Sequence, residues 1–151
     1  MQLTIFGTGY VGLVTAACLS DVGHNVACID IDDKRIAALN DGHIPIYEPG
    51  LKELVMRNAQ AKRLTFSTDS AHGVRHGEII FIAVGTPPME DGSADIRAVQ
   101  AVADTIGRHI DGYKVVVNKS TVPVGSAEMV EARIRAAALA RKFDADFDVC
   151  S

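Results

Sequence analysis

Apolar residues recur along the chain in two alternating rhythms. Short runs rich in β-branched and aliphatic residues stand at Leu3–Phe6, Asn25–Asp30, Leu64–Ser67, Glu78–Val84, Lys114–Val117 and Asp146–Cys150, and between them the apolar positions shift to steps of three and four. The runs predict strands and the stepped segments predict helices. The stepping is clearest at Ile96, Val99, Ala103, Ile106 and Ile110, a single stripe read as core packing. Ala127, Val130, Ile134 and Ala137 make a second stripe in a helix from Ser126 to about Lys142. Further helices are predicted over Tyr10–Val22, ended by Gly23, around Ile36 and Leu39, from Leu51 to about Ala59, and over Asp69–Arg75. Glu78–Val84 is apolar without alternation, as in a strand buried on both faces. Strands alternating with helices over short links specify a parallel sheet with right-handed crossovers and helices on both faces.

Composition fits one ordinary globular domain with room for a sizeable core: 151 residues, 48% hydrophobic and 23% charged. A net charge of −4 with no Lys/Arg cluster leaves no footprint for nucleic acid or an anionic membrane surface. No apolar run approaches the ~20 residues that cross a bilayer. A strand beginning at Gln2 leaves no room for a signal peptide, so the expected location is the cytoplasm. Cys18, Cys28 and Cys150 have neither metal-ligand nor disulfide spacing and are expected as small buried hydrophobes; His24, His43, His72, His76 and His109 are expected at surface or loop positions. No metal site is expected.

The chemistry concentrates at the start. The first strand breaks at Gly7 and helical spacing resumes at Tyr10, so Gly7-Thr8-Gly9-Tyr10-Val11-Gly12 joins a strand to a helix. A bare tight turn would account for the glycines alone, but not for the flanking elements or for Asp30, which closes the second strand 18 residues beyond Gly12. Together these are the dinucleotide-binding fingerprint: Gly7 for the turn, Gly9 for close approach of the backbone to a pyrophosphate, Gly12 for helix–strand packing. Asp30 would accept hydrogen bonds from the adenosine ribose and repel a 2′-phosphate, predicting NAD rather than NADP; Asp32 and Asp33 add to that repulsion and Arg35 opposes it. Asp32 or Asp33 is also suited to cap the helix that follows. The fold class is therefore α/β, a Rossmann-type doubly wound parallel sheet of six strands in the order 3-2-1-4-5-6. The loops Gly85–Asp95 and Asn118–Gly125 follow the fourth and fifth strands, at the carboxyl edge where such sheets bind ligands. The Pro- and Gly-rich stretch Gly42–Gly50 is longer than a connection needs.

Four segments carry a resemblance that covers essentially the whole chain: Gly7–Gly12, Pro45-Ile46-Tyr47-Glu48-Pro49-Gly50-Leu51, Gly85-Thr86-Pro87 with Asp91–Asp95, and Ser120-Thr121-Val122-Pro123-Val124-Gly125. In this order they resemble the amino-terminal domain of the nucleotide-sugar dehydrogenases, the UDP-glucose/GDP-mannose dehydrogenase family. The resemblance implies that Tyr10 and Val11 meet the NAD pyrophosphate by their backbone, that Asp30 and Arg35 lie at the adenosine ribose, and that Thr86 and Thr121 line the path to the nicotinamide. It also implies a supporting catalytic role for Thr121, beside the water and acidic residue of the reaction. The family oxidises a sugar C6 alcohol twice, reducing two NAD⁺ through a cysteine thiohemiacetal and thioester. That cysteine and its lysine, asparagine and aspartate helpers have no counterpart here, and Cys150 does not match the nucleophile. The 151 residues alone are thus expected to bind NAD and catalyse nothing. In the full-length enzyme the implied partner is a nucleotide sugar, UDP-glucose foremost, with GDP-mannose or UDP-N-acetylmannosamine as alternatives, and the implied assembly a homodimer joined through a linker helix. A free-standing NAD-sensing module is the remaining alternative.

Overall fold

The first strand is the pivot of the topology. In the structure, a computed structural model that describes residues 1–151, β1 (Gln2–Phe6) pairs in parallel with β2 (Asn25–Ile29) on one side and with β4 (Ile79–Ile82) on the other. β3 (Leu64–Ser67) adds outside β2, and β5 (Lys114–Asn118) and β6 (Phe147–Cys150) extend beyond β4. The sheet therefore runs β3-β2-β1-β4-β5-β6, the order the sequence predicts. Winding reverses between β1 and β4, which opens a crevice at their carboxyl ends.

Helices fill both faces because each carries an apolar stripe that the sheet must cover. α1 (Tyr10–Asp21), α2 (Asp33–Asn40) and α3 (Leu51–Gln60) share one core with β1 to β3, built around Ile5, Leu13, Val26, Leu39, Val55 and Leu64. α4 (Ser70–His76), α5 (Arg97–His109) and α6 (Ser126–Ala140) pack on the opposite side over Ile80, Ile82 and Val116. The predicted stripe of α5 lands there: Val99, Ala103, Ile106 and Ile110 are fully buried and meet Val130 and Ile134 of α6.

Three expectations are corrected. β4 is sealed on one face only: Ile80 and Ile82 are buried, while Ile79 and Phe81, like their register partners Val115 and Val117, are half-buried. Both later helices cross on the α5–α6 side, so the other face of this half is covered less completely. β6 is an edge strand, as the predicted order requires, which leaves Cys150 exposed, and Cys18 sits on the outer side of α1; Cys28 alone is the buried small hydrophobe expected. Burial pushes the Cys28 thiol well above its ordinary pKa. His76 is half-buried rather than a surface residue, with Nε2 3.2 Å from the Asn25 carbonyl oxygen. No helix is long and apolar enough to cross a membrane.

Candidate nucleotide cleft

β1 ends at Phe6 because Gly7 turns the chain with φ +103°, and a Cβ there would press on the Ala83 carbonyl. α1 begins two residues after Thr8 with Gly9 as its N-cap; no side chain caps it and its first turn holds no acid. Its terminal N–H groups and the positive end of its dipole are thus available to an anion. The two remaining motif glycines serve different needs. A Cβ at Gly12 would run into the Gly7 carbonyl oxygen, whereas a Cβ at Gly9 would meet nothing within 4 Å. The fold requires glycine at 12; nothing in the chain itself requires it at 9.

Asp30 lies one residue past β2, not within it, and faces the glycine turn. Its Oδ2 accepts hydrogen bonds from the Thr8 backbone N–H (2.8 Å) and the Thr8 hydroxyl (2.7 Å), with Arg35 Nη1 at 3.5 Å. Oδ1 accepts from the Asp32 backbone N–H at 3.0 Å. Burial favours the neutral acid, but the Thr8 hydroxyl, the two backbone N–H groups and the Arg35 guanidinium outweigh it and hold the carboxyl below the usual range. Arg35 is divided between two carboxylates, with Nε 4.0 Å from Asp32 Oδ2. Asp32 caps α2, accepting from the Lys34 and Arg35 N–H groups, which separates the capping residue from Asp30 as the sequence suggests.

Beside Asp30 and Gly7 opens a hollow of about 120 Å³ lined by Ile31, Val84, Ala98, Ala101, Val102 and Thr105. It is largely apolar and ends at a carboxylate, which suits a flat aromatic base joined to a diol. The core stripe of α5, on which its sequence pattern centres, does not predict this hollow. Ala98, Ala101, Val102 and Thr105 repeat the three-and-four spacing one step round the helix from the core stripe, and that second stripe was the available signal.

On the other side of the glycine turn, a cleft of about 230 Å³ is walled by Gly9, Tyr10 and Val11 facing Thr86, Ser120 and Thr121. The two loops act as one wall. Thr86 Oγ1 donates to the Thr121 carbonyl (2.8 Å), and Ser120 Oγ donates to the Val84 carbonyl (2.8 Å). Asn118, buried at the end of β5 just before this wall, has no partner for either amide atom. Tyr10 OH donates to Glu48 Oε2 at 3.1 Å, tying the long Gly42–Gly50 connection to α1 while leaving Tyr47 almost fully exposed. The Glu48 hydrogen bond, and then its charge, raises the Tyr10 pKa.

The predicted residues thus fall on either side of one turn: Gly7 and Asp30 at the apolar hollow, with Arg35 beside Asp30 but not lining it, and Gly9, Tyr10, Val11, Thr86 and Thr121 at the polar cleft. Gly12 lies beneath, in α1, and lines neither. An uncapped helix end, the open space at Gly9 and the apolar hollow beside an ionised acid fit an extended dinucleotide.

Comparison with known proteins agrees with that geometry. The model of the UDP-glucose/GDP-mannose dehydrogenase family, NAD binding domain, matches residues 1–151. The UDP-glucose 6-dehydrogenase TuaD of Bacillus subtilis is 49% identical over 150 residues, 99% of this chain and 32% of that protein. A UDP-glucose 6-dehydrogenase of Pseudomonas aeruginosa is 52% identical over 135 residues, 89% of this chain and 30% of that protein. Among solved structures, a ternary complex of GDP-mannose dehydrogenase from Pseudomonas aeruginosa superposes with a TM-score of 0.89 at 35% identity, covering 99% of this chain and 35% of that one. A UDP-glucose dehydrogenase from Pyrobaculum islandicum gives 0.88 at 38% identity, with coverage of 99% and 35%. The chain spans about a third of the length of these relatives. It belongs to the UDP-glucose/GDP-mannose dehydrogenase family, whose NAD-binding domain it matches from its first residue to its last.

Proposed function

We propose that this chain is the NAD-binding part of an NAD-dependent UDP-glucose 6-dehydrogenase, which converts UDP-glucose, two NAD⁺ and water into UDP-glucuronate and two NADH. The observation that carries the NAD half of this reading is the open space at Gly9 above an uncapped helix end. A pyrophosphate there would take the N–H groups of the first turn of α1, at Tyr10 and Val11. Asp30 would hold the adenosine ribose with Arg35 beside it, and the apolar hollow would take the adenine. Thr86 and Thr121 would border the nicotinamide, which accepts the hydride when NAD⁺ is bound. Thr121 would also serve as a supporting residue for the reacting sugar.

None of the three cysteines lines either cleft. The thiol that a double oxidation requires would come from the remaining two-thirds of a longer polypeptide, as would the sugar-nucleotide pocket and the linker helix of a homodimer. UDP-glucose is favoured over GDP-mannose because relatives at 49% and 52% identity are UDP-glucose 6-dehydrogenases, whereas the GDP-mannose enzyme stands at 35%. Three free cysteines, two of them exposed, suit a reducing compartment, consistent with the cytoplasm.

The test is expression of the complete reading frame and measurement of NADH formation with UDP-glucose, GDP-mannose and UDP-N-acetylmannosamine. This reading predicts turnover of UDP-glucose with two NADH formed per sugar. Turnover of either other sugar with UDP-glucose inert would overturn it.

A further inference from the structure

Thr8 is fully buried between the first two motif glycines, and it gives both its backbone N–H and its hydroxyl to the same oxygen of Asp30. Any residue but proline at position 8 supplies the N–H; the second bond comes from the hydroxyl side chain. We propose that Thr8 is a positioning residue for Asp30, its hydroxyl fixing the carboxylate so that the remaining acceptor site of Oδ1 is presented to a hydroxyl of the adenosine ribose. This rests on the reading of Asp30 as the ribose acceptor.

The division of labour between the two oxygens supports it. Oδ2 takes two Thr8 donors and lies near Arg35, while Oδ1 takes only the Asp32 N–H and keeps acceptor capacity. The terminal torsion of an aspartate is soft, and without the hydroxyl the carboxylate keeps only one backbone N–H at each oxygen, from Thr8 and from Asp32. A β-branched side chain such as threonine is stiff at χ1, which makes its hydroxyl a fixed point. The hydroxyl also acts on charge. Burial pushes Asp30 toward its neutral form, and the Thr8 hydroxyl is the foremost of the bonds that reverse this. The ionisable groups facing Asp30 are Arg35 and Asp32 from the α2 side and the Cys28 thiol from β2. The hollow's other lining residues, including Ser70 at the start of α4 and Thr105 on α5, carry no titrating group.

The test is calorimetric titration with NAD⁺ of the wild type, Thr8→Val, Thr8→Ser and Asp30→Asn, between about pH 8 and about pH 5. Thr8→Val, close in shape, is expected to bind about three- to tenfold more weakly at the alkaline end, a fraction of the worth of the lost hydrogen bond to a charged group, since the hydroxyl acts on the ligand only through Asp30. That deficit should widen as the pH falls, because loss of the hydroxyl removes the foremost bond that holds the Asp30 pKa down, so the variant takes up its proton at a higher pH than the wild type. Thr8→Ser, which keeps the hydroxyl, should restore affinity and pH profile together, and also covers any loss of folding by the valine variant. Wild-type affinity for Thr8→Val, or a deficit equal at every pH, would overturn the proposal. Wild-type affinity for Asp30→Asn would overturn the ribose reading itself and the proposal with it; a weak Asp30→Asn beside a normal Thr8→Val would remove Thr8 alone.

Discussion

Thr86 Oγ1 donates a hydrogen bond to the Thr121 carbonyl oxygen at 2.8 Å, and this bond joins the loop after β4 to the loop after β5. Both residues border the cleft on the far side of the glycine turn from Asp30. Thr86→Val should therefore loosen the nicotinamide end of the site and leave the adenosine end intact. The expected outcome is NAD⁺ affinity lower by about three- to tenfold with unchanged affinity for AMP. Calorimetric titration with the two ligands checks it; an equal loss for both would show that the bond supports the whole domain.

The motif glycines separate folding from binding. A Cβ at Gly12 strikes the Gly7 carbonyl, backbone that cannot step aside, whereas a Cβ at Gly9 enters open space. Gly12→Ala is expected to destabilise the fold by about 2–4 kcal/mol, the cost of severe overpacking against backbone, and so to lower the thermal unfolding midpoint strongly. Gly9→Ala should melt near the wild-type temperature and yet lose NAD⁺ affinity by at least about tenfold, since the methyl occupies the space a pyrophosphate needs. Normal NAD⁺ binding by a folded Gly9→Ala would contradict the placement of the pyrophosphate.

Acid should weaken the fold partly through His76. Burial, foremost, and then the nearby His72 and Lys114 depress its pKa, against the pull of the Asn25 carbonyl. A base depressed in this way binds fewer protons folded than unfolded. Its contribution is fully present above the ordinary histidine value of about 6.5 and is lost as the pH falls through that value toward the folded pKa. His76→Gln should flatten the decline of the unfolding midpoint between about pH 7.5 and about pH 5. Part of the slope should remain, because burial and nearby arginines depress His109 in the same direction. A slope unchanged in the variant would contradict the assignment.

How much of this was legible in the sequence depended on whether a signal was local. The strand order, the glycine turn, Asp30 and the Asp32 cap follow from short-range patterns, and all are found. β2 and β4 end one and two residues early: the Asp30 and Ala83 N–H groups make the last bonds to the neighbouring strands, at the Ser67 and Phe6 carbonyls, and the chain then turns to form the site, a tertiary demand that periodicity does not encode. Cys18 and Cys150 are exposed because one lies on the outer side of α1 and the other on an edge strand, placements that an apolar local context does not encode. The role of Thr8 was hidden because its bond to Asp30 spans 22 residues. The second stripe of α5 was hidden behind its stronger core stripe.

Packing between α5 and α6 offers a control remote from the site. Ile134 is fully buried at the centre of the core these helices share. Ile134→Ala should cost about 2–5 kcal/mol in denaturant unfolding while leaving NAD⁺ affinity unchanged in the folded fraction. Loss of affinity in a variant shown to be folded would mean that the cleft depends on this core more than its geometry indicates.

The central claim is that the amino end of α1 receives a diphosphate while Asp30 grips a ribose without a 2′-phosphate. Calorimetric titration of this chain with NAD⁺ and with NADP⁺ under one buffer tests it most directly. The account predicts one NAD⁺ per chain and NADP⁺ weaker by at least about tenfold, roughly 1.4 kcal/mol of repulsion at Asp30. Equal affinity for the two, or no heat with either, would contradict it.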